Sequence, residues 1–316
     1  MATITASKPK PEPGPEAQAE QRKSDRSAAW SRRAPLMPAL VFAIIVTQVP
    51  FVLTVWYSLQ SWNLVRPGSE QFVGLRNYVD VFADSTFRSA AWHTVLLTGG
   101  CVVIALLIGL GLALLLDREF PGRGVVRTLL ITPFLIMPVA SALLWKYMMF
   151  DPIYGILNFV LAPFGAGETD WVTQFPLTSI IIALVWQWTP FMMLLLLAGL
   201  GAQPKDVLEA AQVDGASRRQ TFAFVTLPHM RRYIELAVLL GAIYIVNTFD
   251  QIYMMTQGGP GTASANLPFY IYQRAFLGFD VGQAAAMGVV VVIGTIIVST
   301  LALRLIFKSF EVEETR

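Results

Sequence analysis

Six long apolar segments constrain the fold of this chain more than any other feature of its sequence. A helix needs about 20 apolar residues to cross the hydrocarbon core of a bilayer. A backbone in lipid must also satisfy its own hydrogen bonds, which a helix does. The sequence therefore predicts an all-α integral membrane protein with six transmembrane helices. The predicted spans are residues 36–60, 93–116, 128–149, 178–201, 233–256 and 285–307.

The composition supports a membrane protein and excludes several other classes. Hydrophobic residues make up 55% of the 316 positions and charged residues only 14%, whereas soluble domains carry about 25% charged residues. This excludes a typical soluble enzyme and a disordered chain. The net charge of +2 provides no basic field for nucleic acid. With one cysteine and two histidines, we expect neither a disulfide nor a metal site, and no catalytic residue.

The positive charges predict the orientation. Eighteen Lys and Arg residues fall in the two terminal segments and in loops 117–127 and 202–232, against four in the other three loops. Cytoplasmic loops carry the excess of such residues, so both termini and these two loops should face the cytoplasm. We expect a solvated cytoplasmic tail at 1–35, a transmembrane domain at 36–308 and a short cytoplasmic tail at 309–316. The first apolar run is long enough to span, so we interpret it as an anchor rather than a cleaved signal peptide.

The cytoplasmic segment 202–232 predicts two short helices. Asp206 and Glu209 suit a positive helix N-terminus after Pro204, and Gly215 can take the left-handed conformation that ends a helix. Ser217 and Gln220 have the spacing of a capping box for a second helix. We expect Pro228 to stop that helix before the next span.

Local physics leaves two interpretations of this segment open. It is either an interfacial amphipathic helix pair without a partner or a docking element. Its pattern is Glu-Ala-Ala, three residues, Gly, nine residues, Val, one residue, Leu-Pro, which falls on Glu209, Ala210, Ala211, Gly215, Val225, Leu227 and Pro228. This pattern resembles the loop of permease subunits of bacterial binding-protein-dependent ABC importers, with Val225 where those have Ile.

The resemblance implies a type I ABC importer permease fold in a bacterial inner or plasma membrane. It also implies partners: a second homologous permease subunit, two ABC ATPase subunits, and an extracytoplasmic solute-binding protein or lipoprotein. The chain has no G-x-x-x-x-G-K-[ST] loop for phosphates, so ATP and Mg would bind to the ATPase partner and this chain would hold no cofactor. By the same resemblance, the residues that couple to the ATPase are Asp206, Glu209, Ala210, Ala211, Asp214, Gly215, Ala216 and Ser217.

Polar and aromatic residues inside three spans are candidates for a substrate path, because such groups are costly in a bilayer. In the third span, Pro133 and Pro138 free backbone carbonyls and bend the helix, either to open a cavity or as a packing kink. In the fourth span, Trp186, Gln187 and Trp188 provide ring faces and an amide that suit a polyhydroxylated ligand. The alternative is that these side chains pack and bond between helices.

The fifth span carries Tyr244, Asn247 and Gln251 at helical spacing, which predicts that they share one face. Thr248 and Asp250 flank that face, and Asp250 is equally consistent with an exposed helix-end carboxylate. Phe249, Thr256 and Gly258-Gly259-Pro260 resemble a pattern of carbohydrate-importing permeases of the maltose-permease type. The blocks MPVASALLWKYMMFDPIYG and TQGGPGTASAN resemble sorbitol/mannitol-type permeases.

Matched to the sugar contacts of the maltose-type permeases, the resemblance implies contacts at Phe134, Pro138, Gln187, Trp188, Phe191 and Thr248. Leu184, Gly241 and Ile245 also match contact positions but are apolar or lack a side chain. The full predicted substrate path, including the residues chosen for polarity, is Phe134, Pro138, Ser141, Gln187, Trp188, Phe191, Tyr244, Asn247, Thr248, Asp250 and Gln251.

The predicted function is ATP-driven import of a sugar or polyol, without covalent chemistry in this chain. The same machinery could carry a disaccharide such as maltose or trehalose. Glycerol-3-phosphate would call for cations along the path, and none lies in mid-membrane. An ion-coupled secondary transporter would need an intramembrane carboxylate relay, for which only Asp250 is available. A membrane enzyme would need a His, Asp or Cys constellation.

Overall fold

The computed structural model describes residue 35 and residues 37–68, 70–165 and 168–314, with only the backbone at 298–299 and 301–314. It divides the chain into two compact units, residues 1–56 and 57–316. The predicted tail 1–35 lies outside the described residues, apart from Pro35.

The first described helix, α1, runs from Met37 to Ser58 and has a mean hydropathy of 2.2. It contains Pro50 and two threonines whose hydroxyls bond to carbonyls one turn back, Thr47 to Ala43 and Thr54 to Pro50. These bonds satisfy the polar side chains within the helix, as a lipid environment requires. The first predicted span is confirmed as a single helix.

The second unit begins with a hairpin and a long helix. Strands β1 (Gln60–Ser61) and β2 (Gln71–Phe72) pair antiparallel, with Gln60 opposite Phe72. Helix α2 (Arg76–Ala83) follows, and α3 (Ser85–Leu116) is the second span. The Asp84 carboxylate accepts a hydrogen bond from the backbone N–H of Thr86 and so caps α3.

The third span is two helices rather than one. Helix α4 (Arg123–Leu135) and helix α5 (Pro138–Leu144), which continues as a π-helical turn to Met149, meet at an angle of 98°. Pro138 lacks an N–H and pushes Met137 into an extended conformation, with ψ of 134°. We call residues 136–137 the first break. Both prolines were expected to bend one helix, but Pro133 lies within α4 and Pro138 begins a separate helix.

The fourth span is the buried centre of this unit. Short helices α6 (Ile156–Leu161) and α7 (Trp171–Gln174) precede α8 (Pro176–Gly201). Helix α8 packs against α3, α4 and α11, and Met192, Met193 and Leu196 along it are fully buried.

Segment 202–232, which is predicted to face the cytoplasm, forms α9 (Lys205–Val213) and α10 (Arg218–Thr221), followed by a π-helical turn at Phe222–Thr226 and by α11 (Leu227–Val246). The expectation that Pro228 stops the second helix was wrong. Pro228 occupies the first turn of α11, where a missing N–H costs little, and the preceding π-helical turn already departs from the regular bonding pattern. Residues 218–246 are therefore helical without interruption.

The fifth span is also broken. Helix α11 ends at Val246 and α12 begins at Asp250 and ends at Met255; we call residues 247–249 the second break. Asn247 Nδ2 donates to the Ile243 carbonyl at 2.7 Å, the acceptor that an uninterrupted helix would give to the backbone N–H of Asn247. Helix α13 (Leu267–Tyr272), with a π-helical turn at Gln273–Leu277, precedes α14 (Val281–Glu314).

Judged by length and composition alone, the described part of the chain has three helices that could cross a membrane: α1, α3 and α8. The bent pair α4–α5 makes a fourth if it counts as one span. Helix α11 carries Arg231, Arg232 and Glu235 in its first half, and most side chains of α14 beyond Ile297 lie outside the described set. The count of six spans stays a prediction for these two.

A polar cluster fastens α13 and the π-helical turn after it to the start of α3. Arg274 Nη2 lies 2.9 Å from Asp84 Oδ2, and the Tyr270 hydroxyl donates to the same oxygen. Partial burial raises the pKa of the Asp84 carboxyl, but the hydrogen bonds from Tyr270, Thr86 and Arg274 outweigh it, so that the pKa lies below its usual value.

Candidate functional site

Gln187 on the unbroken helix α8 connects both breaks. Its Nε2 donates to the Ile136 carbonyl in the first break at 3.0 Å. Its Oε1 accepts from Gln251 Nε2 on α12, just after the second break, at 2.8 Å. Both glutamines are 4% exposed. Breaking a helix in a bilayer leaves backbone groups that need other hydrogen-bond partners. The Gln187 amide is the partner of one such group, the Ile136 carbonyl.

A second amide holds the other side of the second break. Asn266 is 1% exposed, and its Nδ2 donates to the Thr248 carbonyl at 2.6 Å. Its Oδ1 accepts from the Phe269 N–H and caps α13. This one side chain therefore ties the break in the fifth span to the beginning of the next helix.

Four aromatic rings meet next to these breaks, and we call Phe134, Trp188, Phe191 and Tyr244 the aromatic cluster. Trp188 and Tyr244 stack with centroids 5.5 Å apart and planes 22° apart, and Phe134 and Phe191 stack at 5.5 Å and 29°. Edge contacts join the two pairs. Tyr244 remains 55% exposed, so the cluster has an open side.

The structure brings together only part of the predicted substrate path. Phe134, Trp188 and Phe191 from the family match, and Tyr244 from the fifth span, form the cluster. Pro138 is exposed at the start of α5. The prediction that Tyr244, Asn247 and Gln251 share one face was wrong, because the second break separates Gln251 from the helix that carries Tyr244.

The remaining predicted path residues are not part of the aromatic cluster. Gln187, Gln251, Thr248 and Ser141 are buried, and the first two bond to each other. Asn247 is exposed with its amide on the Ile243 carbonyl, and Asp250 is partly exposed in the first turn of α12. Trp186 packs edge-on against Trp145 with centroids 5.7 Å apart, which is the packing alternative for that residue.

The coupling segment, residues 206–217, forms an exposed helix and turn. Asp206 lies in the first turn of α9, and Gly215 has φ of +79°, the left-handed conformation expected for the residue that ends it. The predicted capping box is present, because Ser217 and Gln220 each bond the other's backbone N–H. Ala211 and Ala216 are partly buried, and the other proposed coupling residues, Asp206, Glu209, Ala210, Asp214, Gly215 and Ser217, are exposed.

Large apolar side chains accompany this segment on the surface. Val213 at the end of α9 is 87% exposed, and Phe224 in the π-helical turn is 77% exposed. No gap in the described helix separates the second short helix from α11, so any displacement of α10 acts directly on the helix that carries Tyr244. This geometry suits an element that docks in a partner and moves a membrane helix.

Several functional residues carried no recognised signal in the sequence. Asn266 precedes Leu267 and Pro268, which is the pattern of an N-cap before a first-turn proline, and this could have located α13. The loop before it is held by Ser264 Oγ, which lies 2.8 Å from both Thr256 Oγ1 and the Gly259 carbonyl oxygen. The block TQGGPGTASAN therefore encodes a defined loop.

Comparison with known proteins gives the family. Residues 105–311 match the family model described as "Binding-protein-dependent transport system inner membrane component". The chain is 37% identical over 278 residues to a probable ABC transporter permease protein, y4oQ, of Sinorhizobium fredii. The aligned region covers 87% of this chain and 90% of that relative. It is 35% identical over 257 residues to the trehalose/maltose transport system permease protein MalF of Thermococcus litoralis, covering 80% and 86%.

Among solved structures, the chain resembles one from a bacterial alginate ABC transporter in complex with an alginate pentasaccharide-bound periplasmic protein. The TM-score is 0.75 at 22% identity, over 88% of this chain and 94% of the other. At this identity the likeness establishes the fold.

Proposed function

Because the chain belongs to the family of binding-protein-dependent transport system inner membrane components, and is a membrane permease subunit of an ABC transporter, we propose that it imports a sugar or polyol along a path lined by the aromatic cluster. The observation that carries this proposal is the stacked pair Trp188–Tyr244, with Tyr244 half exposed beside two helix breaks.

The chemistry of the cluster favours a polyhydroxylated ligand. Aromatic faces bind the C–H faces of sugars, and nearby amides and hydroxyls bond to their hydroxyl groups. The exposed Asn247 lies one helical turn from Tyr244, close enough for its amide to take part. No Lys or Arg belongs to the cluster, so phosphorylated substrates lack the cations that would bind them.

The relatives support the sugar class. One relative is a trehalose/maltose transport system permease, and one structural neighbour belongs to an alginate transporter. We propose the common class, a carbohydrate or its reduced polyol, for this chain. A preference for sorbitol or mannitol rests on the sequence blocks alone.

The proposed machinery needs other chains. A second homologous permease would complete the path on the open side of the cluster. Two ABC ATPase subunits would bind ATP and Mg, one of them docking on residues 206–217, and an extracytoplasmic solute-binding protein would deliver the sugar. Exposed Val213 and Glu209 offer an apolar contact and a charge to the ATPase.

The proposed mechanism is alternating access. ATP binding closes the ATPases and displaces α9 and α10, and the continuous helix through α11 carries that displacement to Tyr244 and the second break. The path then opens outward and accepts sugar; hydrolysis restores the inward-facing state. Each state is favoured by the contacts it makes with ATPase and binding protein.

The test is uptake of radiolabelled sugars by proteoliposomes that hold the assembled complex and its binding protein. Replacing Trp188 by Ala should lower the rate of uptake at least fivefold, whereas Trp188→Phe, which keeps a ring, should retain most of it. ATP hydrolysis in the absence of binding protein should be the same in all three. Equal uptake by the Ala variant and the wild type would remove the cluster from the path.

A further inference from the structure

A cleft of about 380 Å³ opens on the side of the protein predicted to face outward. Its walls come from four segments: the π-helical turn after α5, the loop that follows it, helix α7, and the end of α12 with the Gly259–Pro260 loop. Lys146, Asp151 and Asp170 are its charged residues.

The two carboxylates are held in place by backbone groups. Asp151 Oδ1 accepts from the N–H groups of Ile153 and Tyr154, each at 2.9 Å, and these bonds lower the pKa of its carboxyl. Asp170 Oδ1 accepts from the Thr173 N–H at 3.1 Å and caps α7. Within the described residues, neither carboxylate forms an ion pair, so the second oxygen of each is available to a ligand.

The one cationic side chain lining the cleft already has a hydrogen-bond partner. Lys146 Nζ donates to the Met254 carbonyl at 3.1 Å, in the last turn of α12, where a positive charge is favourable. With two carboxylates against one bound ammonium, the cleft carries a net negative charge. It therefore suits a cationic group with several donors.

We propose that this cleft is the socket for a basic side chain, Arg or Lys, of the solute-binding protein. The inference rests on the proposed function, because the family is binding-protein-dependent and a docked binding protein covers the outward side. Charge complementarity selects the occupant, because an Arg or Lys forms charge-assisted hydrogen bonds with carboxylate oxygens, and a net negative cleft steers it on approach.

The position of the socket links docking to the membrane path. Lys146 and Met254 join the outer halves of the third and fifth spans. The inner ends of α5 and α12 are the two breaks that Gln187 connects. A side chain seated in the cleft thus contacts the π-helical turn after α5 and the end of α12, at the opposite end of these two helical pieces from the breaks.

The test measures how binding protein stimulates ATP hydrolysis by the reconstituted complex. The double variant Asp151→Asn, Asp170→Asn keeps both Oδ1 acceptors and so preserves the loop and the cap, while it removes both charges. The control Glu70→Gln, Asp80→Asn removes two exposed charges from the same predicted side but outside the cleft. Thermal unfolding of all three proteins in detergent establishes that they are equally folded.

We expect the binding-protein concentration for half-maximal stimulation to rise about tenfold in the cleft variant and less than twofold in the control. Raising the salt concentration should weaken stimulation of the wild type more than of the cleft variant, because salt screens the charges. A cleft variant that matches the control, or that is stimulated at lower concentrations, would overturn the socket. A wild type that hydrolyses ATP without any response to binding protein would instead overturn the proposed function.

To separate a protein occupant from a sugar, free sugar is added at millimolar concentration without binding protein. Stimulation of the wild type by sugar that is lost in the cleft variant would overturn the protein socket. If free sugar stimulates ATP hydrolysis in neither the wild type nor the cleft variant, the result supports the protein socket.

Discussion

Gln251 Nε2 lies 2.8 Å from Gln187 Oε1, in a hydrogen bond that is buried between the broken fifth span and the unbroken fourth. Gln187 also reaches the Ile136 carbonyl in the broken third span. The two glutamines therefore connect parts of the third, fourth and fifth spans. In this conformation their amides bond to the protein and are not presented to a ligand.

The first prediction concerns this pair. Replacing Gln187 by Ala leaves the buried Gln251 amide and the partly buried Ile136 carbonyl without their partner, and an unsatisfied buried group costs about 1–3 kcal/mol. We expect the free energy of unfolding in detergent to fall by about 2–4 kcal/mol. Because the two side chains share one hydrogen bond, Gln251→Ala should lower the free energy of unfolding less in the Gln187→Ala variant than in the wild type. Replacing the exposed Gln174 by Ala should change little; fully additive losses would contradict the bond.

The second prediction concerns the packing of α3 on α8. A methyl group on Gly109 would lie 2.9 Å from both Met192 Cβ and the Met193 backbone nitrogen, whereas one on Gly111 meets nothing within 4 Å. We expect Gly109→Ala to destabilise the protein by about 1–3 kcal/mol through overpacking. Gly111→Ala should be neutral or stabilising, because Ala favours helix. Thermal unfolding of both variants checks this, and equal effects would contradict the close contact.

The third prediction concerns the turn after α9. Gly215 has φ of +79°, which costs an alanine about 1–2 kcal/mol but is tolerated by asparagine. We expect Gly215→Ala to reduce the number of sugar molecules imported per ATP hydrolysed, and Gly215→Asn to preserve most of it. The measurement compares uptake with phosphate release in the same vesicles. An unchanged ratio in the Ala variant would show that the left-handed turn does not matter for coupling.

The fourth prediction concerns pH. The pKa of Asp84 lies below its usual value of 3.8 in the folded state, so its stabilising contribution is fully present above that value. The contribution is lost as the pH falls through the lower, folded pKa. We expect the melting temperature to fall as the pH is lowered below 3.8. The slope should be smaller for Asp84→Asn, which cannot ionise; parallel curves for the two proteins would contradict the ion pair with Arg274.

Much of the fold follows from the sequence because its signals are local. The apolar run of α1, the capping box at Ser217 and the left-handed Gly215 each depend on residues within one or two turns. The same holds for the coupling segment, where exposure follows from the amphipathic pattern. These features need no knowledge of what packs on them.

The errors came from contacts distant in sequence. Helical spacing placed Gln251 on a face with Tyr244, but Asn247 captures the Ile243 carbonyl, and Asn266 fixes the break from 18 residues away. Gln187 bonds to Ile136 and Gln251, which lie 51 and 64 residues away, so the sequence left helix bonding and ligand contact equally open for it. The sequence alone does not distinguish a buried amide that bonds to a neighbouring helix from one that binds a sugar.

The central claim is that this chain moves sugar only when a separate ATPase drives it. The direct measurement is sugar uptake by proteoliposomes that contain this chain alone or the full complex, with ATP inside and with ionophores that abolish ion gradients. We predict uptake only with the partner permease, the ATPase, ATP and the binding protein, insensitive to ionophores and abolished by Glu209→Lys. Uptake by this chain alone, driven by a proton or sodium gradient, would contradict the account.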